Sequence, residues 1–190
     1  MNPSAGGFTL GHPVLRLSGL LLLAAFTVWI HLEIKVWRVG ESPQHSDHTT
    51  PAIDQEAPHF SAYDVEGREI KLVAFRGQPV LLDFSATWCP PCLTSLQTFQ
   101  LAHTQGTRFQ PKVLVIFKGE ERTRVNRFMV QHGYSFTAIP DPTKSLANLY
   151  NVKSIPVTMA IDSHGYLRQI HRGELDPPKL EQLLKVIGED

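Results

Sequence analysis

Apolar residues in the second part of the chain form short runs and periodic segments, which predict alternating strands and helices. The runs at 80–84 and 112–117 are almost wholly apolar, which is typical of strands buried on both faces of a sheet. The segments 90–105 and 121–132 place apolar side chains along one side of a helix, and Gly133 is suited to end the second helix.

Shorter segments complete the predicted order of elements. We expect a hairpin from strands 60–64 and 70–73, a short helix at 145–150, strands at 157–161 and 166–171, and a closing helix at 178–187. After the hairpin, the longer elements follow the order strand, helix, strand, helix, strand, strand, helix. This order predicts an α/β domain with a central mixed sheet flanked by helices.

The start of the chain has a different pattern. Residues 17–32 contain no Asp, Glu, Lys or Arg, and the wider stretch 14–36 is almost as apolar, which predicts one transmembrane helix with its span at about 14–36. A cleaved secretory signal and a buried core helix are the alternatives. No small-residue cleavage site follows the apolar run, so we favour an uncleaved anchor.

The chain therefore divides into three predicted parts. Residues 1–39 form the membrane anchor. Residues 40–55 are polar, contain Pro43 and Pro51 and lack apolar periodicity, which predicts a flexible linker. Residues 56–190 carry the predicted folded domain.

Composition excludes some classes of function. The 18 Lys and Arg residues balance the 18 Asp and Glu residues, and both signs are interspersed, so no basic surface is collected for nucleic acid. The arginines at 122, 124 and 127 are expected to lie on a solvated helix face. There are only two cysteines, which rules out a long-range disulfide framework and calls for a local explanation of the pair.

That pair is Cys89 and Cys92, separated by Pro90 and Pro91, directly after a predicted buried strand and at the start of a predicted helix. A helix N-terminus favours an anion, so Cys89 is expected to be the nucleophile and the shielded Cys92 the resolving thiol. The two prolines add rigidity but remove two N–H donors, which allows them to shift the reduction potential in either direction.

The run at 82–92, LDFSATWCPPC, resembles the active-site segment of the thioredoxin superfamily, and most of all that of membrane-anchored TlpA/ResA/DsbE-like thiol–disulfide oxidoreductases. The resemblance extends over about residues 56–188. It includes the stretches 57–60, 139–141, 154–158 and 161–165. It implies a thioredoxin-like fold and a redox-active Cys89–Cys92 disulfide.

The resemblance also implies a docking site for substrate. The family proline that matches Pro156 is cis and lies against the dithiol, which would expose the Ile155 backbone to an extended substrate and keep metal ions away from the sulfurs. Trp88 is interpreted as a substrate platform or, alternatively, as a packed aromatic residue. The expected substrate-binding residues are Trp88, Pro90, Pro91, Ile155 and Pro156.

Asp83 is the charged residue within the apolar run before the cysteines, and it matches the buried carboxylate of thioredoxin. We interpret it as a proton acceptor for Cys92 with a pKa raised by burial, against the alternative of a hydrogen-bonded structural Asp. The sequence departs from TlpA/ResA-like proteins at Ser95, where these often carry Glu. If an acid assists the reaction, it should therefore be Asp83.

The leading hypothesis is a membrane-tethered oxidoreductase that exchanges electrons with protein disulfides. We favour a reductase, in cytochrome c maturation or in general disulfide reduction, over a protein dithiol oxidase. A thiol peroxidase is disfavoured because such enzymes carry Thr three positions before the cysteine, where this chain has Ala86. A copper(I) metallochaperone is the non-enzymatic alternative, although two thiolates without a third ligand make a poor site.

No cofactor is expected besides the Cys89–Cys92 disulfide, and no metal. The expected partners are protein substrates with cysteines or disulfides and a membrane thiol–disulfide donor or acceptor. We expect the chain in the bacterial cytoplasmic membrane, with its thioredoxin-like domain on the periplasmic side.

Overall fold

The computed structural model describes residues 51–105 and 111–188 of the 190-residue chain. The predicted anchor at 1–39 and most of the predicted linker lie outside the described residues. Within the described ranges, no helix has the length and apolar character needed to cross a membrane.

The described residues form a mixed sheet with helices on both faces. The strands are β1 (Gln55–Glu56), β2 (Ser61–Tyr63), β3 (Glu69–Lys71), β4 (Val80–Ser85), β5 (Lys112–Lys118), β6 (Thr137–Asp141), β7 (Val157–Ile161) and β8 (Tyr166–Arg172). The helices are α1 (Pro90–Gln105), α2 (Arg122–His132), α3 (Ser145–Leu149) and α4 (Pro177–Gly188), with a 3-10 turn at Leu72–Phe75.

Six of these strands form the central sheet in the order β1-β8-β7-β4-β5-β6. Strands β4, β5 and β6 are parallel, whereas β7, β8 and β1 join by antiparallel pairing. The strands β2 and β3 form the predicted hairpin. This is the thioredoxin-like α/β architecture expected from the sequence.

The alternation of side chains along the strands separates two apolar layers. Leu82 and Phe84 of β4 pack on one face with residues of the hairpin and of α3 and the turn after it. Leu81 of β4 packs on the other face, where it joins residues of α1, α2 and α4. Odd-numbered residues of β4 therefore face the layer that contains α1, the helix that follows the cysteines.

Two strands were not assigned by the apolar pattern. Gln55 and Glu56, at the border of the predicted linker and domain, are exposed and pair with β8 as the short strand β1. Strand β6 contains Pro140 and lies at the edge of the sheet, where it pairs with β5 as its one partner strand among the described residues and where a residue without an N–H is tolerated. Neither segment has the continuous apolar run on which strand prediction depends.

Candidate active site

Cys89 and Cys92 lie at the junction of β4 and α1 and are joined by a disulfide. The Cys89 carbonyl accepts hydrogen bonds from the N–H groups of Cys92 and Leu93, at 3.0 and 3.2 Å, and so caps the start of α1. Cys89 is 4% exposed and Cys92 is fully buried. Cys89 is thus the more exposed residue of the pair, and it lies at the helix end that favours a thiolate.

Pro90 and Pro91 occupy the first two positions of α1 and are exposed. Proline suits the first turn of a helix because its N–H would have no intrahelical partner there. Trp88, on the other side of Cys89, is 63% exposed although it is large and apolar. These side chains surround Cys89 with rigid, accessible apolar surface.

The loop before β7 lies against the disulfide. Its Ile155–Pro156 peptide bond is cis, as the resemblance predicted. The partly buried Ile155 packs on a cluster formed by Ala86, Cys89 and Cys92. The fold therefore brings the 155–156 loop, about 65 residues away in sequence, next to the dithiol.

Asp83 is fully buried on β4, opposite Thr158 of β7. Its Oδ1 accepts a hydrogen bond from the Thr158 hydroxyl at 2.8 Å, whereas its Oδ2 has no hydrogen-bond partner among the described residues. Burial raises the pKa of Asp83 to about 7, against the opposing effect of the Thr158 hydrogen bond. As an odd-numbered residue of β4, Asp83 points to the layer that contains α1.

Ser95 stands where TlpA/ResA-like proteins often carry Glu, and its side chain makes two hydrogen bonds. Its buried Oγ accepts a hydrogen bond from the Leu175 N–H at 2.9 Å and donates to the Pro91 carbonyl at 3.4 Å. The hydroxyl thus links the first turns of α1 to the segment before α4.

A second buried carboxylate near the dithiol was not singled out by the sequence. Glu120 follows β5, is 4% exposed, and accepts two hydrogen bonds from Thr87, two residues before Cys89. Arg124, expected only on a solvated face, is exposed but forms an ion pair with Glu120 at 3.1 Å. The sequence did contain a signal for Glu120. It is a charged residue shortly after a buried parallel strand, at the sheet edge where the cysteines also lie.

Within 51–105 and 111–188, the structure shows no group of three or more His, Cys, Asp or Glu residues placed to hold a metal ion. A metal bound at the dithiol would therefore rely on the two sulfurs of Cys89 and Cys92 alone within this part of the chain.

Comparison with known proteins relates this chain to thiol–disulfide oxidoreductases, which agrees with the Cys89–Cys92 disulfide at the site. The profile of the AhpC/TSA family matches residues 53–170. The thiol-disulfide oxidoreductase ResA of Geobacillus thermodenitrificans is 30% identical over 172 residues, which cover 88% of this chain and 91% of that protein. ResA of Bacillus subtilis is 26% identical over 135 residues, which cover 70% of this chain and 74% of that protein.

Solved structures show the same similarity. A crystal structure assigned to the thiol:disulfide interchange protein DsbE of Chlorobium tepidum aligns with a TM-score of 0.62 and 29% identity, covering 71% of this chain and 96% of that one. The exposed lipoprotein thioredoxin Etrx1 of Streptococcus pneumoniae aligns with a TM-score of 0.54 and 28% identity, covering 67% and 98%.

Proposed function

Since this chain belongs to the AhpC/TSA family and is a thiol–disulfide oxidoreductase of the ResA/DsbE type, we propose that it works as a reductase of protein disulfides at the outer side of the cytoplasmic membrane. The observation that carries this proposal is the Cys89–Cys92 pair at the N-terminus of α1, with the Ile155–Pro156 loop packed beside it. That arrangement combines a polarised helix end with a neighbouring edge for substrate.

In the proposed reaction, the Cys89 thiolate attacks one sulfur of a substrate disulfide. The Cys89–substrate mixed disulfide forms, the substrate S–S bond breaks, and the leaving thiolate takes up a proton. Cys92 then loses its proton and attacks the Cys89 sulfur. The Cys89–Cys92 disulfide closes and the second substrate thiol leaves, so that two electrons have passed to the substrate.

Asp83 is proposed as the acceptor of the Cys92 proton. A general base works best when its pKa lies near the working pH, and burial places the pKa of Asp83 at about 7. Its orientation to the α1 layer supports the same role. Oδ2, without a hydrogen-bond partner among the described residues, is the atom proposed to take the proton.

Substrate is proposed to bind across the surface formed by Trp88, Pro90, Pro91, Ile155 and Pro156. The exposed Trp88 offers an apolar contact beside the nucleophile. The Ile155–Pro156 loop offers backbone groups at the edge of the site. An extended segment with a disulfide would pair with this loop while its sulfur meets Cys89.

Tethering is proposed through residues 14–36, whose apolar character motivates a single span. The domain would then lie on the periplasmic side, and a membrane thiol–disulfide donor would restore the dithiol. No cofactor beyond the cysteine pair is needed for this cycle. Alkaline extraction and protease protection of the full chain test the arrangement: release from membranes by alkali would contradict it.

The opposite direction, oxidation of protein dithiols, uses the same residues and depends on the reduction potential. Copper(I) delivery is less favoured because two sulfurs without a third ligand form a poor site. Peroxidase chemistry is less favoured because Ala86 stands three residues before Cys89, and the nearby Thr87 hydroxyl already donates to Glu120.

The direction is tested by the reduction potential of the full chain, together with its reduction of insulin disulfides. A potential near about −270 mV with insulin reduction supports a reductase, whereas one near about −120 mV with oxidation of reduced protein substrates would replace it by an oxidase. Stoichiometric copper(I) binding without either activity would favour the metallochaperone.

A further inference from the structure

We propose that Lys118, the last residue of β5, and Glu120, two residues after it, are positioning residues that hold the two loops of the active site in place. Glu120 holds the loop before Cys89, and Lys118 holds the loop before Ile155 and Pro156. The Lys118 part rests on the proposed substrate-docking role of that second loop, whereas the Glu120 part does not.

Glu120 binds Thr87 with both of its carboxylate oxygens. Oε2 accepts a hydrogen bond from the Thr87 backbone N–H at 2.8 Å, and Oε1 accepts one from the Thr87 hydroxyl at 2.6 Å. Hydrogen bonds to a carboxylate are shorter and stronger than those between neutral groups. Because both donors belong to one residue, the contact restrains the position and the orientation of the loop that carries Trp88 and Cys89.

Arg124 completes the Glu120–Thr87 contact from the solvent side. Its Nε lies 3.1 Å from Glu120 Oε1 and 3.2 Å from the Thr87 hydroxyl oxygen. A nearly buried carboxylate is costly without a compensating charge, and the guanidinium supplies one while staying exposed. The arginine therefore supports the contact rather than forming a separate ion pair on a helix face.

Lys118 makes a comparable contact with the other loop. Its Nζ donates to the carbonyl oxygens of Val152 at 3.0 Å and of Lys153 at 2.9 Å. Two of the three ammonium donors are thus directed at consecutive carbonyls. Ser154 and Ile155 follow directly, so Lys118 restrains the chain just before the edge proposed for substrate.

Gly119 explains how neighbouring side chains serve two different loops. In a continuous strand, residues 118 and 120 would point to the same face. Gly119 has a φ of +76° and donates its N–H to the Asp141 carbonyl at 2.7 Å, so the chain leaves the strand direction between them. This positive φ itself favours glycine, because L side chains rarely adopt it.

The two contacts lead to different consequences. Since Glu120 restrains the loop of the reacting cysteine, it holds Cys89 near Cys92 and favours closure of their disulfide in every reaction. Since Lys118 restrains the docking loop, it affects the binding of a protein substrate and not the equilibrium of the dithiol with a small disulfide.

The first experiment measures the equilibrium of the full chain with reduced and oxidised glutathione. Glu120→Gln keeps a side chain of similar size but cannot accept both Thr87 donors. We expect the equilibrium constant for forming the Cys89–Cys92 disulfide to fall about three- to tenfold. Glu121→Gln is the matched control, because Glu121 is the exposed neighbour and makes no side-chain capping bond to α2.

A Glu120→Gln constant within twofold of the Glu121→Gln constant would overturn the Glu120 assignment. If Glu120→Gln fails to fold, Thr87→Val and Thr87→Ser replace it. The valine removes the hydroxyl donor and should lower the constant, whereas the serine keeps the donor and should retain it. Equal constants for these two variants would overturn the assignment as well. Glutathione is the only reductant and oxidant present, so this result does not depend on the identity of the protein substrate.

The second experiment compares Lys118→Met with Lys112→Met, the same change at the other end of β5. We expect Lys118→Met to raise the KM for insulin reduction about fivefold, with kcat and the glutathione equilibrium unchanged. We also expect faster amide exchange at Ser154 and Ile155. Equal KM values and equal exchange in the two variants would overturn the Lys118 assignment. If the unmodified chain reduces no protein disulfide, the proposed function fails, and amide exchange alone then decides the Lys118 contact.

Discussion

Asp83 and Glu120 are both buried carboxylates near the carboxyl ends of adjacent parallel strands, yet their surroundings differ. Asp83 accepts one hydrogen bond, from Thr158, and its second oxygen has no partner in the described part of the chain. Glu120 accepts two hydrogen bonds from Thr87 and pairs with Arg124. Burial is common to both carboxylates, and the pairing of their oxygens distinguishes them. We therefore propose the proton-accepting role for Asp83 and the positioning role for Glu120.

The largest difference is expected in the pH dependence of stability. Burial raises the pKa of Asp83 from 3.8 to about 7, so between these values the folded domain holds a proton that the unfolded chain has lost. This contribution to stability is complete below about pH 4 and is lost as the pH rises through 7, a difference of about 4 kcal/mol. Asp83→Asn should remove this pH dependence of the free energy of unfolding, as measured by urea unfolding of the oxidised protein from pH 4 to 8.

Parallel pH profiles for Asp83→Asn and the unmodified protein would contradict the titration of Asp83. Measuring both proteins in the oxidised state keeps the cysteines from titrating. The comparison then reports on the carboxylate alone.

At pH 8, removal of the Glu120 carboxylate should lower the free energy of unfolding, in contrast to removal of the Asp83 charge. Glu120→Ala leaves the Thr87 N–H and hydroxyl without their acceptor, which should destabilise the oxidised domain by about 2 to 3 kcal/mol. Glu121→Ala, at the exposed neighbouring position, should change the free energy of unfolding by less than about 0.5 kcal/mol. Urea unfolding at pH 8 checks both. Equal effects at 120 and 121 would mean that the Thr87 contact contributes nothing.

A smaller effect should follow from Thr158→Val. The Thr158 hydrogen bond favours the charged form of Asp83, so its removal should raise the pKa of Asp83 further. The pH–rate profile of insulin reduction should shift upward by about one pH unit. Asp83→Asn should instead slow thiol–disulfide exchange near neutral pH and remove the Asp83 titration from the pH–rate profile. A profile unaffected by either change would return Asp83 to a structural role.

The smallest effect is expected at Ser85, which lies on the same face of β4 as Asp83. Its hydroxyl oxygen, like Asp83 Oδ2, has no hydrogen-bond partner in the described residues. Ser85→Ala should change the free energy of unfolding by less than about 0.5 kcal/mol, because no hydrogen bond is lost. Ser95→Ala should cost about 1 to 2 kcal/mol, because the buried Leu175 N–H then loses its acceptor. Thermal unfolding of both variants decides the point: a Ser85→Ala cost as large as that of Ser95→Ala contradicts it.

The features that the sequence predicted well are those with a local pattern. The apolar runs of β4 and β5 indicated buried strands, and the Cys89–Cys92 spacing before a helical segment indicated the dithiol. The position of Ile155 and Pro156 came from the family resemblance, because nothing local relates that loop to residues near 89. The roles of Asp83, Trp88 and the two active-site prolines remain predictions.

The features that sequence reasoning missed depend on contacts between distant residues. Glu120 meets Thr87 across 33 positions, and Lys118 meets the 152–153 carbonyls across 34 and 35 positions. In the sequence both look like ordinary charges at the end of a strand. Strand β6 was missed because its proline-containing edge position gives only a weak pattern.

The division of labour between the two cysteines is tested most directly by trapping the mixed disulfide. Full-length Cys92→Ser and Cys89→Ser variants are mixed with insulin and then quenched with acid, and the linked peptides are identified by mass spectrometry. Cys89 is the less buried residue of the pair, at the start of α1, so Cys92→Ser should accumulate insulin linked through Cys89 and Cys89→Ser should accumulate none. Equal trapping through Cys92 in the Cys89→Ser variant would contradict the account.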